Sequence, residues 1–340
     1  MIDTDVLVVG GGPVGLAAAI EARLAGLSVT IVEPREDAID KACGEGLMPG
    51  AIPLLGRLGV DPVGMPLRGV SYRTATRHVD YLFRSGIGRG VRRTTLHSAL
   101  STRAAELGVE RAVGRVDTVE QGAESVTAAG IRASWLLACD GLHSTVRRAT
   151  GLEAIARGKA RFGIRQHFAI APWSELIEVY WAKHAEVYVT PVDAGVTGIA
   201  MLGPKGTDFD DTIRAIPELA ERLSDAERVS ARRGAGPFLQ RATRPRAGRV
   251  MLVGDASGYV DAITGEGLRL GFEQAGLAVQ SIIERAPERY DRRWARATRD
   301  FRVLTSGLVA AAVGPFRGAI VPLAASLPGV YGAVVERLAR

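Results

Sequence analysis

The first thirty-three residues constrain the fold more than any other stretch of the chain. Asp5–Val9 is a short apolar run, Gly10, Gly11 and Gly12 follow as a turn, and Val14–Ala25 is Ala- and Leu-rich up to Gly26. Ser28–Glu33 is a second apolar run. The spacing predicts strand, loop, helix and strand in that order, a single βαβ unit. Glycines at 10, 12 and 15 permit a tight turn and let backbone N–H groups approach a pyrophosphate at the helix N-terminus. Glu33, at the end of the second strand, is placed to accept hydrogen bonds from a ribose hydroxyl pair.

At 340 residues the chain exceeds the usual domain of about 100–200 residues, so two linked domains are expected. Val70–Phe83 alternates as paired strands do, Thr94–Leu107 reads as a helix, and Val109–Ser134 as short strands. Trp135–Cys139 and Arg249–Val253 read as buried strands that run into Asp140-Gly141 and Gly254-Asp255. Between them, Arg161–Leu202 alternates in β fashion and Thr212–Leu223 reads as a helix, with Leu268–Arg285 another. The apolar tail Val303–Val335, broken by Arg317, Pro322 and Pro328, reads as two or three short packed helices. The expected fold class is mixed α/β: a Rossmann-type domain with an inserted, mostly antiparallel β-sheet domain and a C-terminal helical tail. Residues 1–70, 90–160 and 236–285 are assigned to the nucleotide domain, 71–89 and 161–235 to the substrate domain, and 286–340 to the tail.

Composition narrows the partners. The net charge is +6, but basic residues are interspersed with acidic ones, which argues against nucleic acid and for phosphate-bearing cofactors or anionic lipid. The two cysteines, Cys43 and Cys139, form no CxxC pair and the five histidines no ligand-spaced pair, so neither a disulfide framework nor a metal is expected. The apolar run Val6–Val9 leads straight into the glycine loop, with no leader before it, so a cytoplasmic location is expected. The tail leaves peripheral membrane contact open.

Two further segments carry a family resemblance. Ala138-Cys139-Asp140-Gly141-Leu142-His143-Ser144-Thr145-Val146-Arg147 resembles the DGxxSxxR segment of flavoprotein hydroxylases and reductases. Arg249–Ala256, with Gly254-Asp255, resembles their second flavin segment, in which the Asp binds the ribityl chain. With Gly10–Glu33 these motifs, over about residues 1–285, look like the para-hydroxybenzoate hydroxylase-fold superfamily of FAD enzymes. Lys41-Ala42-Cys43-Gly44-Glu45-Gly46-Leu47-x-Pro49 and Thr264-Gly265-Glu266-Gly267 resemble its geranylgeranyl reductase branch, whose aromatic substrate motif survives only as Glu186–Pro191.

The resemblance implies an FAD site from Gly10, Gly12, Pro13, Val14, Gly15, Glu33, Pro34 and Arg35 at the first motif. It adds Cys43, Gly44 and Arg93, then Asp140, Gly141, Gly254 and Asp255, and last Gly265, Gly267 and Leu268. It implies catalytic roles for Cys43, Gly265, Glu266 and Gly267, with Tyr180, Tyr188 and Pro191 toward the substrate. Cys43 reads equally as an active-site thiol or as a small residue in a loop that needs one. The implied activity is transfer of NADH- or NADPH-derived electrons through FAD to a small hydrophobic substrate. Reduction of a C=C bond is set against hydroxylation of an aromatic or polyketide-like ring. A non-catalytic flavin-binding protein would fit loss of Asp255 or of the glycine loop, and both are present.

Overall fold

The computed structural model describes residues 2–340. Thr4–Val9 and Val29–Glu33 are parallel strands in register from Val6 opposite Val29 to Val9 opposite Val32. The Pro13–Leu24 helix joins them, with Pro13 in the first turn, where a missing N–H costs nothing. Ile131–Ala138 and then Val250–Leu252 extend the sheet in parallel on one side, and Glu110–Val113 on the other. Val6 and Val8 face a helical layer with Leu16, Ile20, Leu96, Leu100, Phe272 and Val279. Leu7 and Val9 face Val116, Leu136, Val146 and Leu152. Because both faces are covered, the strand is apolar at nearly every position.

The second sheet has the order Glu227–Arg228, Phe162–Ala169, Val196–Gly203, Glu186–Asp193, Leu176–Trp181, Gly69–Arg73, His78–Leu82. It is antiparallel except where Leu176–Trp181 runs parallel to Gly69–Arg73. Its strands alternate between two cores. Ile177, Val179 and Leu202 join the C-terminal helices on one face, while Tyr180, Val187, Val189 and Met201 meet Phe209, Ile213 and Leu219 on the other.

Four expectations change in detail. The second sheet begins at Gly69, two residues before the boundary drawn at 71. Gly88–Gly90, which straddles the boundary drawn between 89 and 90, pairs with Gly46–Leu47 and Met65–Leu67 in a small sheet of its own. The helix expected over Thr212–Leu223 is two short helices, Phe209–Arg214 and Pro217–Arg222. Pro217 cannot donate to a carbonyl four residues back, and Asp208 caps the first helix by accepting from the Asp211 amide. The tail is not only short helices: Glu288–Val313 is a 26-residue helix that stops at Gly314-Pro315. Shorter helices, Ile320–Ser326 and Pro328–Ala339, then fold back over the second sheet. No single helix among the described residues is long and apolar enough to cross a membrane.

Candidate functional site

A cavity of about 440 Å³ opens between the two sheets. Its first end is built by the βαβ turn: Gly10, Gly12, Pro13 and Val14 line it, with Glu33, Pro34 and Arg35 from the end of the second strand. The Glu33 carboxylate accepts from the Gly11 N–H at 2.8 Å and from Arg35 Nε at 2.6 Å. Burial would raise its pKa, but these bonds outweigh burial and hold the carboxyl below its ordinary value, so Glu33 is an anion at neutral pH. His97 Nε2 lies 3.0 Å from the Gly11 carbonyl and steadies the loop from behind.

The middle of the cavity collects Arg93, Asp140, Gly141 and Asp255. Asp140 Oδ2 accepts from Thr145 Oγ1 and the Val146 amide, while its Oδ1 is buried without a partner. Arg93 Nε is likewise buried and unpaired. Burial raises the Asp255 carboxyl, and the Arg93 and Lys41 cations oppose that rise. Arg147 is fully buried behind this wall: it donates to the carbonyls of Ala256 at 3.0 Å and Leu142 at 3.1 Å, and to Gln240. The Arg of the DGxxSxxR segment thus pins the Asp140 loop to the Asp255 turn.

Cys43 and Gly44 come from the loop before Gly46–Leu47, and Gly265, Gly267 and Leu268 from the start of the Gly267–Ile283 helix. Cys43 Sγ accepts from the Glu45 amide at 3.4 Å. The far end is apolar and aromatic, with Tyr72, Phe83, Tyr188, Phe238 and Tyr259, and with Val335 and Leu338 of the last helix.

Five residues expected at the site are placed elsewhere. Gly15 lies behind the loop, where a Cβ would overlap the Gly10 carbonyl oxygen, so it serves close packing of helix on strand. Gly254 has φ +65° and donates its N–H to Gln274 Oε1, turning the chain without lining the cavity. Glu266 points to the opposite side of its helix, into a groove where Arg269 Nη2 donates to it at 2.8 Å. Tyr180 faces the outer core, its hydroxyl donating to Glu178 at 2.9 Å, because strand alternation puts it opposite Ile177 and Val179. Pro191 packs with its carbonyl against Gly90 rather than into the cavity.

Residues that the sequence reading missed include Glu45, held at φ +58° with its carboxylate 2.6 Å from His167 Nε2 and 2.8 Å from the Arg93 amide. It ties the Cys43 loop to the second sheet and to the start of the Arg93–Glu106 helix. Its position within the Cys43–Pro49 motif was the available signal.

Burial pushes the Glu266 carboxyl up to about 7, with Arg269 opposing. A folded-state pKa above the unfolded value gives stability that is complete below about 4.5 and is lost as pH rises through about 7. Glu266→Gln removes that loss. Denaturant titrations should therefore show the variant gaining on the parent protein between pH 5 and pH 8; a parallel pair of pH profiles would contradict the assignment.

A family model described as "FAD binding domain" matches residues 3–289. The chain is 28% identical over 337 aligned residues to a 12-dehydrotetracycline 5-monooxygenase/anhydrotetracycline 6-monooxygenase of Streptomyces rimosus, covering 80% of this chain and 61% of that one. It therefore spans about three-fifths of that relative's length. It is 27% identical to a menaquinone reductase of Mycolicibacterium smegmatis, covering 85% of this chain and 79% of that one. The structure of a p-nitrophenol 4-monooxygenase from Pseudomonas putida superimposes with a TM-score of 0.81 at 19% identity, over 98% of this chain and 96% of that one. That likeness bears on fold alone. The matched stretch takes in the glycine loop, Asp140 and Asp255 together, and the chain belongs to the FAD binding domain family of the para-hydroxybenzoate hydroxylase fold, a family of FAD-dependent oxidoreductases and monooxygenases.

Proposed function

We propose that the chain passes NADH- or NADPH-derived electrons through FAD to a hydrophobic substrate, and that it reduces a C=C bond of a lipid-, isoprenoid- or polyketide-like molecule. The observation that carries this reading is the single cavity whose glycine and carboxylate end runs into an aromatic, aliphatic end. The lining fits a flavin dinucleotide. Glu33 and Asp255 would offer carboxylate acceptors to sugar and ribityl hydroxyls, and a Cβ placed on Gly12 would come 3.8 Å from Arg93 Nη2, so Gly12 and the Arg93 guanidinium are neighbours on the cavity wall. Arg93 would supply a cation to the pyrophosphate, and the amides of Gly265 and Gly267, at the start of a helix, would face the flavin and favour the negative charge that it takes on when reduced.

Bound FAD supplies two-electron transfer; the protein positions the substrate and excludes water. Cys43 lines the cavity, on the loop before Gly46–Leu47. Val335 and Leu338 seal the far end. The described residues form one dinucleotide-type sheet, which supports a nicotinamide reductant that docks transiently against the FAD domain or is replaced by a protein electron donor. Phe316, Leu323, Leu327 and Val330 are exposed on the C-terminal segment, whose last helix lines the cavity, and this supports contact of that segment with a membrane surface. The tetracycline monooxygenase relative favours a second reading, ring hydroxylation in the same cavity.

Oxygen separates the two. Dithionite-reduced enzyme should convert its substrate fully under argon, and product formed in ¹⁸O₂ should carry no label. Product that appears only with oxygen, and carries ¹⁸O, would establish hydroxylation instead.

A further inference from the structure

The tyrosines of this chain divide into two groups. Five of the seven hydroxyls have a protein partner: Tyr81 on Glu336, Tyr180 on Glu178, Tyr188 on Ile263, Tyr290 on Leu252 and Tyr331 on Val70. The other two, Tyr72 and Tyr259, make no hydrogen bond to any described residue, and both line the cavity. Both residues are half-buried, with hydroxyls that a molecule in the cavity can reach and accept from.

Their rings are held firmly. Tyr72 packs edge-on to Trp181 at 5.3 Å and lies 5.0 Å from Tyr331. Tyr259 lies between Phe238 at 6.1 Å and Phe301 at 6.3 Å. A Cβ placed on Gly267 would come 3.4 Å from the Tyr259 hydroxyl, so that hydroxyl lies over the turn that begins the helix beside Cys43. Tyr72 lies on the Gly69–Arg73 strand, which belongs to the second sheet. Burial, with neighbouring carboxylates, raises both phenols far above their ordinary value, so each stays a neutral O–H donor throughout the working pH range. Around them the wall is largely aliphatic, with Val70, Ile177, Val179, Leu202 and Ile263, and the Asp255 carboxylate, an acceptor only, also lines the cavity.

Two fixed donors in an apolar chamber select for acceptor oxygens. We infer that the substrate is a hydrophobic conjugated carbonyl compound, an enone or quinone, whose reacting carbonyl accepts from Tyr259 and whose second oxygen accepts from Tyr72. This rests on the reduction reading above and narrows it. A hydrocarbon polyene would leave both hydroxyls unpaired. A hydrogen bond to the carbonyl also draws electron density from the conjugated C=C bond, so the contact that orients the substrate favours its reduction.

The test uses the oxidised holoenzyme without reductant, and a matched pair of probes: trans-chalcone, and trans-1,3-diphenylpropene, which lacks the carbonyl. Tyr→Phe changes remove only an unpartnered hydroxyl, so the Tyr72→Phe/Tyr259→Phe double variant should unfold no earlier than the parent. In that variant the ratio of chalcone to diphenylpropene affinity should fall about tenfold, the loss of one good hydrogen bond. The infrared stretch of bound ¹³C=O-labelled chalcone should shift to higher frequency in Tyr259→Phe. An unchanged ratio and an unchanged stretch would overturn the inference. So would loss of FAD with the ratio intact, since the hydroxyls would then serve the cofactor. If the ratio falls but product forms only with oxygen, the reduction reading fails and the carbonyl assignment stands.

Discussion

Gly15→Ala should abolish FAD retention on purification and lower the unfolding midpoint. The Pro13–Leu24 helix sits against the Gly10 turn so closely that a Cβ at residue 15 would overlap the Gly10 carbonyl oxygen and come 3.2 Å from the Cys139 side chain. Neither neighbour can yield easily. Gly10 is fixed at φ +103° with its N–H bonded to the Val32 carbonyl, and Cys139 bonds the Val9 carbonyl. The helix must move off the strand instead, at a cost of about 1–3 kcal/mol or more. The same movement carries the amides of Gly11 and Gly12 away from a pyrophosphate. Equal FAD content and midpoint in the variant would show that the contact is looser than described.

Arg147→Met should cost more in stability than any single change at the cavity surface. Its guanidinium is fully buried and joins the Leu142 and Ala256 carbonyls with Gln240 and Glu153. Met fills much of the volume but leaves those acceptors without a donor, a loss of roughly 3–5 kcal/mol for breaking a buried charged network. The Asp140 loop and the Asp255 turn then move independently, so FAD affinity should fall with stability. Chemical denaturation measures the first and a flavin titration the second. A loss under about 1 kcal/mol would mean that water replaces the guanidinium.

Much of this was legible in the sequence because backbone requirements leave marks in residue type. A turn that needs positive φ shows as Gly10, and an acid after the second strand as Glu33. The side of a strand is harder to read. Tyr180 and Tyr188 are both aromatic residues on neighbouring strands, yet one faces the outer core and the other the cavity. Period-two alternation settles this only once one residue on each strand has been placed. Glu266 fails for a different reason. Its neighbours Gly265 and Gly267 line the cavity, but at a helix start successive side chains leave at about 100° to one another, so its carboxylate enters the opposite groove. Tyr72 and Tyr259 sit in no motif, and only packing shows that their hydroxyls are free.

The C-terminal helices illustrate the limit set by long-range contacts. Arg317 read as an interruption of an apolar tail. In the structure it donates to the Ala182 carbonyl at 2.8 Å, pairs with Glu186, and locks the 315–319 turn onto the second sheet. A charge that looks like a break in hydropathy is here a fastening.

Flavin titration of the apoprotein tests most directly whether this cavity is the FAD site. FAD should bind more tightly than FMN, which lacks the adenosine ribose that Glu33 is proposed to hold. Glu33→Ala and Asp255→Ala should each weaken FAD by about 1–3 kcal/mol, the loss of a charge-assisted hydrogen bond. FMN should respond to Asp255→Ala alone. Undiminished FAD affinity in both variants, or FMN bound as tightly as FAD, would contradict the assignment.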